Sequence, residues 1–117
     1  MNRWIEMALK VAIDGHHAEH KMGAVLIKGG SVIQRQANYT RSKGVRKDGF
    51  HAEERAIIKA GIDNCKGATI IVARLNKNNK PGTMSRPCPR CLKLIERAGI
   101  KKIIYVNWTS EIVMERL

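Results

Sequence analysis

Two short segments hold side chains able to grip a metal and move a proton: His51-Ala52-Glu53 and Pro87-Cys88-Pro89-Arg90-Cys91. One imidazole and two thiolates are the borderline and soft donors that zinc prefers, and the two thiolate charges cancel the +2 of the ion. Three protein ligands leave a fourth position for water, whose pKa on such a metal falls toward roughly 7, so a nucleophile exists at neutral pH. Glu53 lies two residues from His51 and need not bind the same ion. It can instead stand beside the water, take its proton as an amino-bearing ring carbon is attacked, and hand it to the ring nitrogen and the departing ammonia. General acid–base assistance of this kind gives about 10²–10⁴-fold, and a partly buried carboxylate suits it.

A closed structural zinc site is the competing reading, with Cys65 as fourth ligand beside His51, Cys88 and Cys91. Such a site has no use for Glu53. Cys65 also precedes a strand that would carry the chain to the other end of the sheet before Cys88. It is therefore expected to be a half-buried free thiol. His16, His17 and His20 form an HHxxH cluster, read as a solvated connection because it lacks the glutamate of the helical H-E-x-x-H motif.

The ligands need elements to position them. Apolar spacing predicts a helix over residues 2–14, closed by Gly15, and strands over 22–28 and 31–37 joined at Gly29-Gly30. A helix over 51–61 begins at His51. The run at 68–73 is that of a strand covered on both faces, and 102–106 is a second one. Between them Pro89 opens a helix that Gly99 stops, with Cys88 at its N-cap and Cys91 one turn along. The positive helix end is expected to favour thiolate over thiol there. Residues 110–117 read as a short final helix. The order predicts an α/β protein, a three-layer α-β-α sandwich with at least four clear strands, the strands at 68–73 and 102–106 being parallel because a helix joins them.

H-x-E combined with P-C-x-x-C is the spacing of zinc deaminases, and over residues 2–108 the chain resembles the cytidine/deoxycytidylate deaminase superfamily, which includes the tRNA adenosine deaminases. The resemblance rests on MGAVLIKGG, on Asn38 after the second strand, on FHAEERAI, KGATIIVA and PCPRC, and on AGIKKIIY. It implies a five-stranded mixed sheet of the cytidine-deaminase-like fold, zinc on His51, Cys88 and Cys91, and Glu53 as proton shuttle. It further implies that Asn38 hydrogen-bonds the substrate sugar, that Ala52 offers a backbone group to the base, and that the protein is a homo-oligomer. The chain departs from the pattern at Glu54-Arg55, where free-nucleotide members often carry Asn, and at Ser85-Arg86 before the Pro-Cys pair.

With 117 residues the chain has room for one domain, 1–117, around one core. No apolar run is long enough to span a bilayer, and no secretory signal is read, so a cytoplasmic location without membrane contact is expected. Lys and Arg outnumber Asp and Glu 22 to 10, for a net charge of +12. Residues 38–50 carry +3 and residues 74–90 carry +5, so most of the excess flanks the motif that would bind metal. Such loops attract phosphate, and Arg41, Lys43 and Arg86 are candidate partners for it. An aromatic share of 4% argues against a base-stacking platform. Three functions stay open: deamination of a cytosine nucleotide, deamination of a base within RNA or single-stranded DNA, and nucleic-acid binding by a structural-zinc domain.

Overall fold

The computed structural model describes residues 2–15, 21–39 and 51–117. The His16, His17 and His20 cluster and the candidate phosphate ligands Arg41 and Lys43 lie outside the described residues. Helix α1, Arg3–Ala12, starts where Asn2 Oδ1 accepts from the backbone N–H groups of Trp4 (2.8 Å) and Ile5 (3.4 Å). Strands β1, Lys21–Lys28, and β2, Ser31–Ala37, form a hairpin whose turn places Gly29 at φ 60° and Gly30 at φ 80°. Glycine alone takes two such angles in succession without strain.

Helix α2, Ala52–Ala60, leads through a 3-10 turn at Ile62–Asn64 into β3, Thr69–Leu75. Helix α3, Pro89–Arg97, then crosses to β4, Lys102–Val106. The final element is β5, Ile112–Arg116. The five strands lie in the order β2-β1-β3-β4-β5, and β3 with β4 is the parallel pair the crossover requires.

Side-chain alternation splits the sheet between two cores. Ala24, Leu26, Ile70, Val72, Ile103 and Tyr105 face α2 and α3, while Val25, Ile71 and Ala73 face α1. The three-layer sandwich on a mixed sheet is thus the architecture expected. Gly23 lies on the α1 face, where a Cβ would stand 2.1 Å from the Ala8 carbonyl oxygen and 2.7 Å from the Ala12 nitrogen. Ala8 and Ala12 are fully buried, so α1 rests backbone to backbone on β1 and cannot yield. Gly23→Ala should cost about 3 kcal/mol by forcing the helix off the strand. An unchanged urea midpoint would show that the contact is not as close as described.

The C-terminal segment corrects the sequence reading. Residues 110–117 include a strand, not a helix, with Val106 opposite Ile112 and Ile104 opposite Met114 in an antiparallel pair. The cause is a turn built by Asn107, whose Oδ1 accepts from the backbone N–H of Thr109 (3.0 Å) and of Glu111 (2.9 Å), with Ser110 at φ 65°. That reversal returns the chain along the open edge of β4, and ladder hydrogen bonds outweigh a weak helical spacing. Among the described residues no helix is long and apolar enough to cross a membrane.

Candidate metal centre

Two helices begin at the site. His51 is the N-cap of α2 and Cys88 the N-cap of α3, both in extended backbone, with Pro89 opening α3. Proline suits that place because the first helical N–H has no partner within the helix. Cys91 follows within the first turn of α3 and is fully buried.

Ser85, which is fully buried, sets where this helix starts. The parallel pairing of β3 and β4 ends with Ile71 opposite Ile104. Just beyond, Ser85 Oγ donates to the Val72 carbonyl (2.6 Å) and accepts from the Val106 N–H (2.9 Å), while its own N–H donates to the Val106 carbonyl (2.9 Å). The hydroxyl closes the split where the strands part, and it anchors the segment that delivers Cys88. In the sequence Ser85 stands out only as a departure from the family pattern, and a bridge between strand ends leaves no local signal.

His51 Nδ1 lies 3.2 Å from Cys91 Sγ and 3.6 Å from Cys88 Sγ, and the three donor atoms all lie within 4.8 Å of one another. Zinc held tetrahedrally by nitrogen and sulfur needs an N···S separation of about 3.5 Å. The observed pair of distances brackets that figure, so the donors fit the ion in type and in spacing. Cys65 is not in the group; its thiol donates to the Gly61 carbonyl at 3.4 Å. It is fully buried rather than half-buried, because the 3-10 turn tucks it beneath β3. A closed four-ligand structural site is therefore not formed by these residues.

Glu53 is 2% exposed, and its Oε1 has no hydrogen-bond partner among the described residues. Leaving a buried carboxylate oxygen unsatisfied is costly, and such an orphan marks a place where a ligand, ion or water belongs. Burial pushes the Glu53 carboxyl up to about 7, with the nearby Glu54 charge adding to it, against the pull of its own backbone N–H, Cys91 and Arg90. Cys91 is shifted as well. Burial, then the charges of Glu53 and Cys88, drive its thiol well above the ordinary range. A cation bound among the three donors would oppose that burial and draw out the thiolate.

Among the described residues the other candidates are Ala52, Asn38 and Arg86. Ala52 is the first residue of α2 and fully buried between His51 and Glu53. Asn38 follows β2, and its Oδ1 accepts from the Met22 N–H at 2.9 Å, which ties the end of β2 to β1. Arg86 donates to Glu115 Oε2 at 3.0 Å across to β5. Arg55 donates to the Ala37 carbonyl at 2.7 Å and lies over the Tyr39 ring. These contacts place the start of α2 against the end of β2.

Residues 1–107 match the family described as cytidine and deoxycytidylate deaminase zinc-binding region. Among solved structures, the chain is similar to the apo dCMP deaminase of cyanophage S-TIM5, at 27% identity and TM-score 0.69, over 90% of this chain and 80% of that one. The same cyanophage enzyme in complex with dCMP and dUMP aligns at 26% identity and TM-score 0.56, over 88% and 75% of the two chains. A deaminase/reductase of Thermotoga maritima, acting in its deaminase part on a diaminohydroxyphosphoribosylaminopyrimidine, shares 26% identity at TM-score 0.60, over 88% of this chain and 28% of that one. The cytidine deaminase of Burkholderia pseudomallei, at 20% identity, shares the fold at TM-score 0.72 over 99% and 93%. A comparison with curated proteins returns no match.

Proposed function

The chain belongs to the cytidine and deoxycytidylate deaminase family, and from that premise we propose that it hydrolyses a cytosine nucleotide of the dCMP or CMP kind to the uracil nucleotide and ammonia. The observation that carries the reading is the buried Glu53 carboxylate with an unsatisfied oxygen, on the same helix turn as one corner of a His-Cys-Cys triangle. The choice of nucleotide is supported by the similarity to a dCMP deaminase over most of both chains.

His51, Cys88 and Cys91 would hold zinc, which when bound supplies the Lewis acidity that makes water a nucleophile at neutral pH. Glu53 moves the protons. A carboxyl whose pKa lies near 7 exchanges a proton in either direction at little cost. It takes one from the attacking water at Oε1 and passes it to the ring nitrogen. It then takes the second from the new C4 hydroxyl and delivers it to the amino group, so that C4=O forms as the C4–N bond breaks and ammonia leaves. The burial of Glu53 itself, 2% exposed, limits the access of bulk water to that carboxyl. Asn38, held by Met22, is assigned the sugar hydroxyl, and Ala52 a backbone contact to the base. The phosphate is assigned to Arg41, Lys43 and Arg86, which for Arg86 means giving up the ion pair with Glu115.

The charge distribution favours one alternative, a base held within RNA or single-stranded DNA, since +8 of the net +12 lies in the two loops around the motifs. Zinc-loaded protein incubated with dCMP, CMP, cytidine, adenosine, single-stranded DNA and tRNA separates the two by ammonia release. The proposal expects turnover of dCMP or CMP with a shallow dependence on salt. Turnover confined to a polynucleotide, with KM rising steeply in salt as counterions are released, would replace it with the alternative.

A further inference from the structure

One carboxylate oxygen joins the two ligand-bearing helix starts. Glu54 Oε1 accepts from the His51 backbone N–H at 3.0 Å and from Arg90 Nη2 at 3.1 Å. The first contact fixes the N-cap of α2, whose side chain is the imidazole donor. The second reaches the residue between Cys88 and Cys91, in the turn that supplies both sulfurs. Glu54 is nearly buried, its side chain 11% exposed, whereas that of Arg90 is 46% exposed and covers it from the solvent side.

Helix electrostatics account for only half of the pair. A carboxylate in the first turn of α2 is favoured by the positive helix end, but a guanidinium in the first turn of α3 is disfavoured by it. No acidic residue stands in that turn to compensate within α3. Arg90 therefore has its favourable partner across the site, on the other helix.

We propose that Glu54 and Arg90 are positioning residues for the metal centre, a latch that holds the imidazole and the two thiols at coordinating distance. It deepens the metal-centre reading above and rests on it, but not on the choice of substrate. The latch acts by ordering donors in advance, so its loss is read in how tightly the ion is held. Removing an outer partner of a metal ligand typically lowers affinity by about 10–100-fold.

The test is zinc affinity of the full chain, measured by chelator competition for wild type, Glu54→Ala, Glu54→Gln, Arg90→Ala and the double alanine variant. Each is also loaded with Co²⁺, whose thiolate charge-transfer band reports whether both sulfurs bind. Glu54→Ala and Arg90→Ala should each weaken zinc by about 10–100-fold, and the double variant should be no worse than the poorer single by more than about twofold. Glu54→Gln should retain affinity to within a few fold, because an amide oxygen can still accept from both donors. Singles within about twofold of wild type, additive losses, or Glu54→Gln as damaging as Glu54→Ala would each overturn the latch. Wild-type protein that binds no zinc would instead sink the metal-centre reading, before any variant is compared.

Discussion

Glu53→Gln should lower kcat by about 10³-fold while leaving the zinc content and the fold of the protein intact. Glutamine keeps the size of the side chain and an acceptor oxygen but cannot carry a proton. The ring nitrogen and the departing amino group would then have to be protonated without a positioned carboxyl, from solvent. A variant that keeps half the activity would remove Glu53 from the mechanism. One that loses zinc would show instead that Glu53 supports the metal.

The same substitution should change the stability of the protein once its metal is removed by chelation. The Glu53 carboxyl lies at about 7 in the fold against 4.5 for an unperturbed one, chiefly through burial. Below pH 4.5 it is protonated in both states and contributes nothing. Between there and pH 7 the unfolded chain ionises first, so stability falls as pH rises, reaching a penalty of about 3 kcal/mol above pH 7. Glutamine carries no such penalty. Urea unfolding of the metal-free pair should thus coincide near pH 4 and separate near pH 8, with the variant the more stable. Parallel curves at both pH values would mean that the carboxylate finds a partner in the fold.

Cys91→Ser is expected to weaken zinc by more than about 100-fold, beyond the loss typical of outer-shell partners, and activity should fall with it. A serine hydroxyl is a hard donor that does not deprotonate at neutral pH, so the variant loses both a sulfur and a negative charge from the donor set. Cys65→Ser is the control, since Cys65 lies outside the donor group and bonds Gly61. It should retain its zinc. Loss of zinc from Cys65→Ser with retention in Cys91→Ser would reinstate a different site.

How much of this was legible in the sequence follows from how local each feature is. Cys88 as N-cap, Pro89 at the first helical position, a helix start at His51 and the Gly29-Gly30 turn are decided within a few residues, and the fold keeps them, with His51 one step outside α2 as its N-cap. The parallel pairing of β3 and β4 followed from the helix between them. Residues 110–117 read as a short helix, whereas the deciding groups for β5 are the Asn107 side chain and the open edge of β4. The Glu54–Arg90 latch joins residues 36 positions apart, and the Ser85 bridge meets strand ends on both sides. Neither leaves a periodic signal. Glu54 and Ser85 were visible only as departures from a family pattern.

The central claim, that His51, Cys88 and Cys91 hold one ion with Glu53 turned to the reacting water, is tested most directly by ammonia release from dCMP before chelation, after it, and after zinc is restored. The account predicts one ammonia for each uracil nucleotide formed, loss of release with the metal, and recovery on adding zinc back at one ion per chain. Undiminished release by the metal-free protein would contradict it, as would a chain carrying one zinc that frees no ammonia from any cytosine nucleotide or nucleoside.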